Sequence, residues 1–325
     1  MKTLDVKGSF LYVKLASLLR TSKSSFITGA GISTSAGISD FRSKNGLFSE
    51  IKKRYGYSGE DIFTHSVVYG SEQAMEIYIE LISEMKKFLV EAVPTPSHKM
   101  LAHLQRAHKV SIYTQNIDGL EGRAGLERGV YYLHGSLDSL ACTYCHHRTP
   151  YTLEHNKMLA QRIPCESCAK RRAEREQQKK RMLPQGTMMP DIVLYGGPHD
   201  TTETARSVAK EKDTALLIVM GTSLRVFGVK NLLKTISKTV KNNEGVRVYV
   251  GIEPPPKPMQ VYFDYWIEGK CDDFSKTLMD TIQGSLLLKK IKHSREIDHL
   301  VGSMKRLSID PGVDWARLLC SRKAS

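Results

Sequence analysis

The sequence predicts a doubly wound α/β fold: a Rossmann-like parallel sheet with helices on both faces, into which a smaller helical and cysteine-bearing domain is inserted. Three observations predict it. Short apolar or β-branched runs alternate with segments long enough for crossover helices, and the run 215–220 is almost continuously apolar, as a strand covered on both faces requires. The first run leads directly into a glycine turn, Gly29-Ala30-Gly31. Two stretches break the alternation: 49–93 reads as helix, and 137–189 carries two Cys-x-x-Cys pairs and a basic run.

In chain order, residues 1–20 are amphipathic, interrupted by Lys7 and Lys14, and read as a first helix with no clear secretory cleavage site. The strand candidates are 25–28, 110–115, 130–133, 192–195, 216–220, 246–252 and 265–267. Residues 97–108 read as a crossover helix, with Ser97 as N-cap after Pro96 and with Met100, Leu101 and Leu104 on one face. Within 49–93, Met75, Ile77, Tyr78, Leu81, Ile82, Met85 and Leu89 supply an apolar face. The expected organisation is a sheet domain built from 1–48, 97–136 and 190–287. A helical insertion occupies 49–96, a cysteine module with a basic insertion 137–189, and a basic tail 288–325.

The chain has 325 residues, 41% hydrophobic and 25% charged, which excludes a disordered polymer and suits a large domain with an appended module. No stretch approaches the roughly 18 consecutive apolar residues of a membrane span, so no membrane partner is expected. Lys and Arg number 48 against 34 Asp and Glu, giving +14. Such a balance favours anionic partners such as nucleic acid or chromatin, with nonspecific attraction as the plain alternative.

Four of the six cysteines fall in Cys142-x-x-Cys145 and Cys165-x-x-Cys168, separated by 19 residues. Each pair can place two thiolates on one metal from a tight turn. Together they suit a tetrahedral zinc site, free or redox-active cysteines being the alternative. With all four positions filled there is no place for a catalytic water, so the expected zinc is structural. His146 and His147 are adjacent but superfluous as ligands, and Cys271 and Cys320 lie outside the pairs.

A lone Gly-x-Gly can be merely a tight connection. Here it continues as Ile32-Ser33-Thr34-Ser35-Ala36-Gly37-Ile38-Ser39-Asp40-Phe41-Arg42-Ser43, small residues followed by one acid, one aromatic and one base. Three further motifs follow: Thr114-Gln115-Asn116-Ile117-Asp118, Leu133-His134-Gly135-Ser136 and Gly221-Thr222-Ser223-Leu224. In this order and spacing, over roughly 24–274, the sequence resembles the sirtuin family. Ser39 stands where that family usually has Pro, a departure that affects loop stiffness.

The resemblance implies an NAD⁺-dependent protein-lysine deacylase that consumes NAD⁺ as a co-substrate and carries one structural zinc. It places Gly29, Ala30, Gly31 and Ser33 along the pyrophosphate, with Gly37 in the same cofactor segment and Asp40, Phe41 and Arg42 on a flexible cofactor loop. Gln115 would face the nicotinamide ribose, and Asn116, Ile117 and Asp118 would form the nicotinamide pocket. Gly221, Thr222 and Ser223 would receive the adenosine side, and the backbone near Cys271 the adenine. A plain buried thiol is the alternative for Cys271. The family's Asn–acid pair after the next strand is not evident in Gly251-Ile252-Glu253.

His134 follows an apolar run at a strand end, where α/β enzymes keep catalytic groups, although a lone histidine in that setting is otherwise structural. A neutral imidazole can take a proton at physiological pH, and the resemblance implies His134 as general base. In that chemistry the acyl oxygen of the substrate lysine attacks the ribose carbon bearing nicotinamide. The base then deprotonates a ribose hydroxyl, which attacks the acyl-derived carbon, and water releases free lysine and O-acyl-ADP-ribose. His65, His98, His103 and His108 are expected in surface or helix roles.

Val193, Tyr195 and Gly196, together with Val226 and Phe227, resemble the two family segments that sandwich the substrate peptide as an added strand. Gly197 and Gly228 replace that family's Glu and Pro. Nothing marks a pocket for acidic acyl groups, so acetyl-lysine is expected. The Tyr195-Gly196 ending, the Pro-rich 253–258 and the basic 170–181 resemble the fungal nuclear histone-deacetylating branch. That implies an acetylated histone substrate, a nuclear location with the cytoplasm as the alternative, and nonspecific DNA or nucleosome contact. A solvated helical face is the alternative for 170–181. Two rival functions stay open: mono-ADP-ribosyl transfer to protein, and a zinc-containing chromatin adaptor of weak activity.

Overall fold

A computed structural model describes residues 2–5, 9–38, 47–126, 128–197 and 202–293. Its strands are β1 (Lys2–Asp5), β2 (Lys23–Thr28), β3 (Val110–Thr114), β4 (Val130–Tyr132), β5 (Gly135–Cys142), β6 (Arg148–Pro150), β7 (Met188–Ile192), β8 (Thr214–Met220), β9 (Val246–Gly251) and β10 (Tyr265–Glu268). Seven form one sheet in the order β1-β10-β9-β8-β2-β3-β4, and every neighbouring pair is parallel. The chain order reverses between β2 and β8. That is the switch point at which open α/β sheets leave a crevice beyond the carboxyl ends of their strands.

The central strands are apolar because both faces are covered. Phe26 and Ile27 of β2 and Leu216 to Met220 of β8 are completely buried, and Leu232, Leu233, Ile236 and Val240 of the helix Phe227–Asn242 pack over one face. Replacing such a residue, as in Leu217→Ala, costs about 2–5 kcal/mol.

The remaining strands form an antiparallel sheet, β6-β5-β7, in the smaller domain. Its core merges with the helical insertion: Met75, Tyr78, Leu81 and Ile82 of the helix Glu72–Glu91 share one apolar cluster with Leu137, Leu140, Leu159 and the paired cysteines. The face expected from 49–93 is therefore the inner wall of this domain, with Met85 packed at its margin. The chain divides into a unit of Met1–Met279 and a unit of Asp280–Ser325.

Three expectations are corrected. The N-terminal stretch is not one helix but β1 followed by the helix Ser9–Thr21, β1 lying at the sheet edge beside β10. Four residues are too few for periodicity to register. Of 192–195 only Ile192 is in a strand, and that strand, β7, pairs antiparallel with β5 instead of joining the parallel sheet. The crossover helix is Pro96–Ala107, and its N-cap is Thr95 rather than Ser97. Pro96 takes the first helical position, where its missing N–H leaves nothing unsatisfied, and Thr95 and His98 cap each other reciprocally.

Candidate active site

Beyond the carboxyl ends of β2, β3 and β8 the sheet opens into a cleft of about 1530 Å³. That exceeds the roughly 300–1,000 Å³ of a single-ligand pocket and has room for a dinucleotide and a second substrate. It is lined by the glycine turn, the loop Gly221–Val226 and Cys271, and by Phe48, Phe63, His134 and the segment 192–197.

The glycines interlock two loops. The Gly31 amide donates to the Gly221 carbonyl at 2.8 Å, and the Gly29 amide to the Met220 carbonyl at 3.2 Å. A Cβ on Gly31 would stand 2.6 Å from Gly221 Cα, and one on Gly29 would stand 2.8 Å from the Gly221 carbonyl oxygen. Gly221 itself has φ +67. After the turn come two short 3-10 turns, Ala30–Ile32 and Thr34–Ala36, closed by Gly37 at φ +81.

Next to this turn, the end of β3 carries the polar residues. Gln115 Nε2 donates to Thr222 Oγ1 at 2.8 Å and to the Thr28 carbonyl at 3.2 Å, tying β3 to the loop after β8. Asn116 Nδ2 donates to Ser33 Oγ at 3.1 Å, and Ser33 Oγ donates to Asp118 Oδ2 at 2.6 Å. Ser33 is fully buried and fixes Asn116 and Asp118 through these two bonds. Asp118, Asn116, Ile117 and Gly37 border a second cavity of about 320 Å³ adjoining the first at Ala30.

His134 sits between β4 and β5. Its Nδ1 lies 3.0 Å from the Leu133 carbonyl, which can only accept, so the ring hydrogen is on Nδ1 and Nε2 is the basic nitrogen. The following residue must be glycine: Gly135 has φ +76, and a Cβ there would stand 2.0 Å from the Asp191 carbonyl oxygen. The His134 carbonyl in turn accepts from the Val193 amide at 3.0 Å.

Val193, Tyr195, Gly196 and Val226 all line the cleft. The Tyr195 amide donates to the Phe63 carbonyl at 2.7 Å and its carbonyl accepts from the His65 amide at 2.9 Å, so one backbone edge is already paired. The backbone of Phe227 begins the helix behind Val226. Cys271 is 6% exposed and burial pushes its thiol up to about 12, so its side chain enters the cleft wall as a neutral group.

Asp272, beside it, was not legible as a site residue. Its carboxylate accepts from Ser35 Oγ at 2.5 Å, Ser97 Oγ at 2.6 Å and the Ser97 amide at 3.0 Å. Burial opposes the charge, but these bonds hold the carboxyl below its ordinary value. An acid at the first turn of a helix is the one sequence signal that could have found it.

The four paired cysteines come together. Cys142 and Cys168 Sγ are 3.7 Å apart, as are Cys145 and Cys165, and all four lie within 4.8 Å. A tetrahedral site with Zn–S bonds of about 2.3 Å needs sulfurs about 3.8 Å apart, so the donor set fits zinc. Amides of Tyr144 and Cys145 point at Cys142 Sγ, and that of Cys168 at Cys165 Sγ, as thiolate ligands require. Neither His146 nor His147 joins the cluster.

The structure thus brings Gly29, Ala30, Gly31, Gln115, Asn116, Ile117, His134, Gly221, Thr222, Ser223 and Cys271 to one cleft. Asp40, Phe41 and Arg42 lie outside the described residues. His98, expected in a surface or helix role, is in a helix but wholly buried.

The Sir2 family matches this chain over residues 29–228. The chain is 31% identical, over 86% of its length, to the NAD-dependent histone deacetylase HST3 of Candida albicans, and spans 64% of that protein. To the protein of the same description from Saccharomyces cerevisiae it is 31% identical over 93% of its length, spanning 76%. Among solved structures it is similar to a Sir2 enzyme studied for mechanism and regulation, at 28% identity and a TM-score of 0.63, over 84% of this chain and 97% of that one. A mutant Sir2 homologue in complex with 2'-O-acetyl ADP ribose matches at 25% identity and a TM-score of 0.65, with the same shares covered.

Proposed function

The chain belongs to the Sir2 family, and from that premise we propose that it is an NAD⁺-dependent protein-lysine deacetylase acting on histones. One observation carries the reading: His134, its Nδ1 hydrogen committed to the Leu133 carbonyl, lines the same cleft as the interlocked glycine turns.

NAD⁺ supplies, when bound, a ribose carbon from which nicotinamide can leave. Gly29 to Gly31 and Gly221 to Ser223 would hold its phosphate and adenosine portions, Asn116, Ile117 and Asp118 its nicotinamide, and Gln115 the ribose between. Cys271 borders the adenine. His134 Nε2 would be the proton acceptor for a ribose hydroxyl, and no side chain need act as nucleophile. Val193, Tyr195, Gly196, Val226 and Phe227 would hold the backbone of the acetyl-lysine peptide. Cys142, Cys145, Cys165 and Cys168 would hold zinc with no position left open, so that it would stabilise the module carrying β5 and β7.

Histones are supported as substrate by the descriptions of the two fungal relatives. A nuclear location and contact with nucleosomal DNA are supported by the +14 charge and by Lys170, Arg171, Lys179, Lys180 and Arg181, all exposed. The test is acetylated nucleosomes and matched free histone peptides, with and without NAD⁺, read site by site at increasing salt. Acetyl loss only with NAD⁺, with a nucleosome advantage that shrinks as salt rises, is expected. Acetyl loss independent of NAD⁺ overturns the deacetylase reading. Equal rates on both substrates at every salt concentration overturn the nucleosome contact.

A further inference from the structure

The cleft assigned to NAD⁺ has a carboxylate in its wall. Asp272 lines it together with Cys271 and with Thr34 and Ser35 of the turn that follows the glycines. A negative charge there works against the pyrophosphate that the glycine turn would receive, so charge alone gives no reason for an acid at this place. Its hydrogen bonds do. Oδ1 accepts from both the amide and the hydroxyl of Ser97, at 3.0 and 2.6 Å, and Oδ2 accepts from Ser35 Oγ at 2.5 Å. Ser97 is wholly buried in the first turn of the helix Pro96–Ala107, and its amide is one of those that a helix leaves without an internal partner at its N-terminus. Asp272 therefore joins three elements: the turn Thr34–Ala36, the crossover helix and the helix Cys271–His293.

We propose that Asp272 is a positioning residue for NAD⁺: through Ser35 it fastens the turn Thr34–Ala36 to the crossover helix, and so holds the cofactor segment in its binding shape. The proposal rests on the reading that the glycine turn receives NAD⁺.

The two halves of that segment are held differently. The first is fixed through its backbone: the Gly31 amide donates to the Gly221 carbonyl, and Thr95 Oγ1 donates to the Ile32 carbonyl, each at 2.8 Å. The second is exposed at Thr34, Ser35 and Gly37 and closes on itself. The Ala36 amide donates to the Ser33 carbonyl at 3.0 Å, and the Gly37 amide to the Thr34 carbonyl at 3.1 Å. A single 3-10 turn has little stability of its own. The Ser35 bond links it to the helix behind, and a bond to a charged acceptor is about twice as strong as one between neutral groups.

The same bonds keep the acceptor charged. Burial opposes the Asp272 carboxylate, but Ser35 and Ser97 outweigh it and hold the carboxyl below its ordinary value. The N-terminus of the crossover helix, directed at it through the Ser97 amide, acts in the same sense. Ser35 has one hydroxyl hydrogen and Asp272 takes it, so Ser35 is not a donor to the phosphates. Its contribution passes through the carboxylate.

The test is calorimetric binding of NAD⁺ to the full chain, with melting temperatures measured alongside. The proteins are the wild type, Ser35→Ala, Ser35→Thr, Asp272→Ala and the double variant Ser35→Ala with Asp272→Ala. Ser35→Ala removes the link but leaves the charge and both Ser97 bonds in place. It is expected to bind about tenfold more weakly, as when the competent turn falls to about a tenth of the population, with a melting temperature close to that of the wild type. Ser35→Thr, which keeps the hydroxyl, is expected to restore affinity. Asp272→Ala should weaken binding at least as much, and the double variant should bind no more weakly than Asp272→Ala alone. Should Asp272→Ala fail to fold, the comparison of Ser35→Ala with Ser35→Thr decides alone. Wild-type affinity in Ser35→Ala, or tighter binding in a folded Asp272→Ala, makes the carboxylate a bystander that repels phosphate. Either result overturns the proposal and leaves the deacetylase reading intact, as does a further loss in the double variant. Absence of NAD⁺ binding by the wild type overturns both.

Discussion

Gly31 and Gly221 meet backbone to backbone, the Gly31 amide donating to the Gly221 carbonyl at 2.8 Å while their Cα atoms leave no room for a side chain between them. The glycine turn after β2 and the loop after β8 are thereby locked together across the switch point of the sheet. Gly31→Ala must push them apart, because its methyl would stand 2.6 Å from Gly221 Cα. A misplacement of about 1 Å can cost about 10²-fold in rate, so a loss of that order in kcat/KM is expected in a protein that remains folded. Turnover within a few-fold of the wild type would show that the contact does not position the cofactor.

His134→Ala removes the proton acceptor and no metal ligand. Deacetylation should fall by about 10²–10⁴, the usual contribution of a general base, with an unchanged melting temperature. Near-normal turnover in a clean preparation would exclude His134 as the base.

Cys165→Ser takes one thiolate from a closed set of four. Zinc should fall from one per chain to near none, and the module carrying β5, β6 and β7 should unfold, with activity lost as a consequence. Elemental analysis and proteolysis check this. A variant that stays folded and active without zinc contradicts a structural site.

The acid at Glu121 gives stability a pH dependence of known sign. Its folded value, about 8, lies above the ordinary 4.5, so between these values the folded chain binds more protons than the unfolded one. The stabilisation is full below about pH 4.5 and is lost as pH rises through 8. Thermal melts should show the wild type losing stability across this window faster than Glu121→Gln. Superimposable pH profiles would mean that Glu121 ionises as freely in the folded chain as in the unfolded one.

The sheet was legible where burial on both faces makes a strand almost wholly apolar, as at Leu216 to Met220, and where a motif needs particular chemistry, as at Gly29 to Gly31 and the cysteine pairs. The small sheet was not. The strand β7 reads Met-Met-Pro-Asp-Ile, with little β-branched character, and it pairs with β5 across an irregular register between Ser136 and Leu140. Nothing local encodes that partner. Thr95 and Ser97 are equally good capping residues in the sequence, and only the placement of Ser97 against Asp272 decides between them. His98 and Glu121 look like ordinary helix polar residues, and their burial follows from packing between Pro96–Ala107 and the end of β3, which sequence spacing does not carry.

On the proposed function, this cleft couples NAD⁺ consumption to removal of an acetyl group. The most direct test is mass spectrometry of every product from an acetylated histone peptide, NAD⁺ and the purified chain. Equal amounts of nicotinamide, O-acetyl-ADP-ribose and free-lysine peptide are predicted, with His134→Ala forming the last two about 10²–10⁴-fold more slowly. ADP-ribosylated peptide that retains its acetyl group, or free lysine without matching nicotinamide, would contradict it.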